Sequence, residues 1–198
     1  MYLHRFIQPV FRFKISLSSA TKPTTMNDQV YLILFRILHI TCAVFWTGSI
    51  LYFAMFIIPA VNSSGPEGTK FLQQLGKTGY PLAMMIAAII SIFSGIMLLW
   101  KLSNGFEKIW FTSINARVLS MGMALGIIAF IIGFTVNRPA AFRINRISAA
   151  IAAAGGPPTP AQMQELMGLR KKIFSATRII AVLLVFTVLS MGIYRYVS

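Results

Sequence analysis

Acidic side chains are almost missing from this chain. Aspartate and glutamate supply only 4 of its 198 residues: Asp28, Glu67, Glu107 and Glu165. All four lie outside the long apolar runs, so a carboxylate-driven proton pump or a paired-carboxylate metal centre has nothing to be built from. Cysteine occurs once, at Cys42. That excludes an intrachain disulfide, a CxxC redox pair and a cysteine-built zinc site within one chain. Histidine occurs twice, at His4 and His39. There is no phosphate-binding glycine loop, no nucleophile elbow and no HExxH. The usual soluble enzyme classes lose their signatures, and whether the chain is an enzyme stays open.

Charge as a whole is scarce. Charged residues make up 11% of the chain and hydrophobic ones 57%, against about 25% and 45–50% in soluble domains. A soluble fold of this length cannot hide so much apolar surface, so lipid is the solvent for much of it. What charge there is has one sign: 18 Lys and Arg give a net charge of +14. These cations hug the ends of the apolar runs. They read as topology signals and as contacts for anionic lipid headgroups, with no nucleic acid implied.

The fold expected is all-α: an integral membrane four-helix bundle in a single domain, residues 26–198. Its spans fall at about 30–60, 80–100, 116–136 and 173–194. Residues 37–60 carry no formal charge, enough to cross a hydrocarbon core of about 30 Å. Pro59 and the Asn62-Ser63-Ser64-Gly65-Pro66 stretch are expected to end the first span. Tyr80 and Trp100 bracket the second as interfacial aromatics. Residues 1–25 form a basic, acid-free leader. It reads as a membrane-surface segment, as a transit-like peptide, or as sequence before a true start at Met26, the last being favoured because Asn27-Asp28 opens a helix well. No internal repeat is visible.

The longest loop, 137–172, reads as a helical hairpin. An alanine-rich helix over 141–154 is broken by Gly155-Gly156-Pro157-Pro158. Thr159 then caps a new helix with Pro160 at its first position and Gln162 completing a capping box. Loops one and three carry Lys70, Lys77, Arg138, Arg143, Arg146, Arg170, Lys171 and Lys172. The opposite side, leader aside, carries Arg36, Lys101, Lys108, Arg117 and Arg195. The positive-inside rule therefore places loops 61–79 and 137–172 in the cytoplasm and both termini outside, in a bacterial inner (plasma) membrane.

Chemistry concentrates in the first span. His39, Cys42 and Trp46 recur at helical spacing and share one face. An ionisable residue inside a span is costly and marks a functional site by default. Three readings stay open for His39: cofactor ligation, a proton relay, or a hydrogen bond to a neighbouring helix near the end of the span. As a ligand it suits haem b. A second axial ligand would be a methionine, a partner's residue, or absent. Copper is the alternative, through His39 and Cys42 with a methionine. Arg117, at the head of span three, reads as an interface anchor or as a candidate for binding an anionic group such as a propionate or a lipid headgroup, the anchor being slightly favoured. Gly122 and Gly126 form a GxxxG pair suited to close helix packing.

The residues Leu38-His39 followed by Trp46-Thr47-Gly48, then Leu51-Tyr52-Phe53 to Pro59, resemble the opening helix of a superfamily of four-helix membrane proteins. It includes HemJ-type protoporphyrinogen oxidase and the membrane domain of copper resistance protein D. The resemblance extends to the four-span layout and Arg117. It implies that His39 serves haem b. The oxidase branch carries a lysine where this chain has Arg117, and a proline-arginine with a further histidine where this chain has Pro59-Ala60-Val61. The chain is thus most similar to members outside the oxidase and copper branches. A homo-oligomer, or a place as a cofactor-free accessory subunit in a larger membrane complex, fits the same pattern.

Overall fold

The computed structural model describes residues 26–197, and every regular element among them is helical. The leader, residues 1–25, lies outside the described residues. Helix α1 (Met26–Tyr52) passes through a π-helical turn (Phe53–Ile57) into α2 (Ile58–Ser63), and α3 (Gly65–Lys77) comes next. Helix α4 (Tyr80–Leu102) is the second span. A 3₁₀ turn (Trp110–Thr112) leads to α5 (Ile114–Ile132), a second π turn (Gly133–Asn137) and α6 (Arg138–Ala154). Helix α7 (Pro160–Ile193) is the last. Four continuous helices, Met26–Ser63, Tyr80–Leu102, Ile114–Ala154 and Pro160–Ile193, are long and apolar enough to cross a membrane.

Pro59 does not end the first helix as expected. A proline has no N–H and its ring collides with the carbonyl four residues back. Here the helix absorbs this by slipping register one step earlier: the Ile58 N–H bonds to the Phe53 carbonyl, five residues back. The same device precedes Pro139, where the Arg138 N–H bonds to the Gly133 carbonyl. Such π turns let a helix run on past an insult that would otherwise break it. Both helices therefore extend beyond the bilayer.

The two π turns also reveal a repeated plan that the sequence conceals. Ile58-Pro59-Ala60 and Arg138-Pro139-Ala140 stand 80 positions apart, 139 minus 59. In each half a long helix crosses, slips register before an X-Pro-Ala step, continues outside, and turns back into the second span. Beyond the slip the halves differ. In the first, Gly65 at φ +54° reverses the chain into α3. This helix replaces the plain loop expected over 61–79. A Cβ on Gly68 would sit 2.4 Å from the Val61 carbonyl oxygen, so α2 and α3 touch backbone to backbone. In the second, α6 is long, and Gly155 at φ +66° closes it in the left-handed conformation that favours glycine.

The capping box at Thr159 is present as expected. The Thr159 hydroxyl accepts from the Gln162 N–H at 3.3 Å, and the Gln162 side chain accepts from the Thr159 N–H at 2.9 Å. Arg143 Nε donates to Glu165 at 2.6 Å, tying α6 to α7 across the hairpin. Thr159→Ala is expected to cost about 1 kcal/mol at this helix end. Hydrogen exchange should quicken at Gln162 and Met163 and leave the buried turn at Ile180 unchanged.

Within the bilayer, α1 packs on α4 and α5 packs on α7, while α7 also reaches α1. All four meet in one core of Trp46, Met84, Ala87, Ala88, Ala129, Ile180 and Leu184, with Cys42 packed against it. A second core of Ile58, Val61 and Phe174 lies under the extramembrane ends. The outer faces carry Ile37, Ile40, Val44, Phe93, Phe134 and Val182, all exposed as lipid-facing residues should be. The GxxxG pair does pack closely. A Cβ on Gly122 would lie 2.8 Å from Ser190 Cβ, and one on Gly126 would lie 3.5 Å from Thr187 Cγ2.

Candidate functional site

Two ties fix the register of α1 on α4. At one end Lys101 Nζ pairs with the Asp28 carboxylate. Further in, the Tyr31 hydroxyl donates to the Met97 carbonyl at 3.4 Å. This register sets His39 against the middle of α4. There its Nδ1 lies 2.8 Å from the Ser91 carbonyl oxygen.

Ser91 is 10 residues from Lys101 and 11 from Tyr80. At a rise of 1.5 Å per residue that is about 15 Å from either end of the span. His39 therefore meets α4 near the middle of that helix. The sequence left open a histidine that hydrogen-bonds a neighbouring helix, and the structure shows a bond of that kind, to the Ser91 carbonyl of α4.

The carbonyl decides the tautomer. A carbonyl oxygen only accepts, so Nδ1 must carry the hydrogen. In a neutral imidazole the lone pair is then on Nε2. Among the described residues Nε2 makes no hydrogen bond. Ser94 Oγ, 3.4 Å from Nδ1, gives its own hydrogen to the α4 backbone, with the Ile90 carbonyl at 2.6 Å and the Ser91 carbonyl at 3.0 Å. Gly95 supplies the space: a Cβ there would lie 2.9 Å from His39 Cε1 and 3.2 Å from Nδ1. The ring lies against bare backbone.

The other predicted site residues separate. Trp46 is buried in the four-helix core, two turns from His39 along α1. Cys42 packs against that same core as a small apolar residue. Arg117 is exposed on α5, and among the described residues its side chain makes no hydrogen bond, ion pair or ring contact. No group of three or more His, Cys, Asp and Glu gathers among the described residues. The site is thus a single imidazole with its α4 cradle, and the cradle is what sequence reasoning missed. Its signal was there: Ser91, Ser94 and Gly95 are the polar and glycine positions of an otherwise apolar span.

An α-helical, multi-pass membrane protein is the class that these features define, with one histidine among the described residues held between two of its spans. Comparison with family models, with curated proteins and with solved structures finds no match.

Proposed function

We propose that this is a haem-b membrane protein with a redox role, in which His39 Nε2 would hold the iron. One observation carries the reading: the Nδ1 hydrogen is held by the Ser91 carbonyl at 2.8 Å. Ligating histidines almost always give their other ring hydrogen to a carbonyl or carboxylate, which fixes the tautomer and raises the basicity of the ligating nitrogen. The resemblance of the first span to HemJ-type proteins points the same way. The donor set fits one axial position. Haem, when bound, supplies one-electron chemistry at its iron. The chain's own part is to fix the orientation of the imidazole from α4 and to keep water away with the core around Trp46. Copper through His39 and Cys42 is less favoured, because Cys42 is committed to apolar packing.

The basic extramembrane helices belong to the same proposal. Lys70, Lys77, Arg143 and Arg146 gather on the side of loops 61–79 and 137–172, which supports a cytoplasmic placement in a bacterial inner membrane. Reporter fusions at residue 150 and at the C-terminus test it, and a fusion at 150 reporting from outside the cytoplasm would overturn it.

The central test is the visible spectrum and metal content of protein purified in detergent. A Soret band is expected, and His39→Ala should abolish it while the protein still elutes as a folded species. Stoichiometric copper without that band would overturn haem in favour of the copper reading. Neither cofactor in folded protein would leave an accessory subunit as the answer.

A further inference from the structure

All four acids of the chain have partners. Asp28 pairs with Lys101, Glu67 with Lys70 and Glu165 with Arg143, while Glu107 accepts from Asn104. No carboxylate side chain is left for the cations of α7. Lys171, Lys172 and Arg178 are exposed, and no side chain among them makes a hydrogen bond or ion pair among the described residues. Among the described residues nothing neutralises them.

Their setting says what that is. A groove of about 540 Å³ runs between the end of α5 and α7. Ile132, Val136, Ala176 and Ile179 wall it, and Lys171 and Lys172 stand at its mouth. Gly168 keeps the mouth open, because a side chain added there would meet nothing within 4 Å. Past Ile179 the trough continues into a shallower one of about 280 Å³ bordered by Arg178, Val182 and Leu183. From Gly168 to Leu183 is 15 residues, about 22 Å of helix.

Lys171 and Lys172 immediately precede the apolar run that begins at Ile173, so the mouth is expected at headgroup level and the trough below it. Arg178 sits five residues inside from Ile173, about 8 Å down. An exposed guanidinium at that depth is expensive unless it reaches an anion. Its stem can snorkel upward towards the two lysines. Lys171 and Lys172 thus border the first apolar groove and Arg178 the second.

We infer that the α5–α7 groove binds one anionic phospholipid. Its phosphodiester lies among Lys171, Lys172 and Arg178, and an acyl chain lies in the trough along Ile179. A zwitterionic lipid would bring its own cation into this cluster and is disfavoured. The site gives the headgroup contacts of the basic loops a definite place, and it does not depend on His39.

The test uses the full chain, delipidated in detergent and examined by native mass spectrometry. The probes are phosphatidylglycerol, phosphatidylcholine of the same acyl chains, and inorganic phosphate. Wild type should retain phosphatidylglycerol over phosphatidylcholine by about tenfold or more, since each basic residue near an anionic headgroup is worth roughly fivefold. Lys171→Gln with Lys172→Gln and Arg178→Gln should erase that preference. Gly168→Leu, which fills the mouth without touching charge, should weaken retention of the lipid. Lys77→Gln with Lys108→Gln, basic positions elsewhere, should change neither. Equal retention of the two lipids, or a triple variant that behaves as wild type, would overturn the assignment. So would inorganic phosphate displacing phosphatidylglycerol at equal concentration, which would make this a free-phosphate site. Because the readout is lipid mass and not a Soret band, loss of the haem reading leaves this result interpretable.

Discussion

Gly122→Leu is expected to separate α5 from α7 and to lower stability. The first atom of a side chain at 122 already lies 2.8 Å from Ser190 Cβ and 3.3 Å from the Thr187 carbonyl oxygen. Neither neighbour can step aside, because both are fixed to the α7 backbone. The helices must move apart, and α7 is the helix on which α5, α6 and part of α1 rest. Overpacking of this kind costs about 1–3 kcal/mol even for small additions, and leucine adds three more carbons beyond Cβ. Gly48→Leu is the matched control, since Gly48 is exposed on α1 and has nothing within 4 Å of its Cβ position. There the substitution should be neutral or stabilising by up to about 1 kcal/mol, through helix propensity alone. Midpoints of unfolding in mixed-detergent titrations should fall well below wild type for Gly122→Leu and not for Gly48→Leu. Equal midpoints would mean that α5 and α7 do not pack through Gly122.

That packing was legible in the sequence, because small residues four apart in an apolar run announce a close helix contact. The four spans were legible for the same kind of reason: uninterrupted apolar length is a local property of the chain. So was the capping box at Thr159, which involves residues only three apart. The misreadings have a common cause. Pro59 reads as a stop because proline breaks an isolated helix. Here the helix continues because Ile58 and Val61 are buried against Phe174, over 100 positions further along the chain. Tertiary burial outweighed a local signal. The α3 helix was passed over because Gly65-Pro66 resembles a loop, although the same pair both reverses the chain and starts the next helix.

His39 stands out in the sequence, but its partner on α4 does not. Helical spacing identifies which residues share a face of α1; it says nothing about which turn of α4 that face meets. The meeting point depends on Asp28 finding Lys101 and Tyr31 finding the Met97 carbonyl. These contacts join residues more than 60 positions apart. Once that register is fixed, Ser91 and Gly95 are the residues that His39 must meet. The two halves of the chain then use the same helix-on-helix plan for different ends. The α5–α7 pair closes tightly on glycines, whereas the α1–α4 pair uses its one glycine contact to seat an imidazole.

Gly95→Ala tests that last point, and its sign is expected to depend on His39. In the wild-type background the new methyl would lie 2.9 Å from His39 Cε1 and 3.2 Å from Nδ1. The ring is a side chain and can rotate, so the backbone need not move. What gives way is the hydrogen bond to the Ser91 carbonyl. Losing that bond in a dry interior costs about 1–3 kcal/mol, which exceeds the gain of roughly 1 kcal/mol from replacing a mid-helix glycine with alanine. Gly95→Ala should therefore destabilise the protein and, on the haem reading, shift or diminish the Soret band without abolishing protein expression. In a His39→Ala background there is no ring to displace and only the helix-propensity gain remains. There the same substitution should stabilise. Four thermal midpoints, for wild type, each single variant and the double variant, give the coupling directly. Ser94→Ala, which removes only the 3.4 Å neighbour and leaves the Ser91 carbonyl in place, should leave both the midpoint and the spectrum nearly unchanged. If Gly95→Ala has the same sign with and without His39, the imidazole does not rest on Gly95, and the account of how α4 orients it fails.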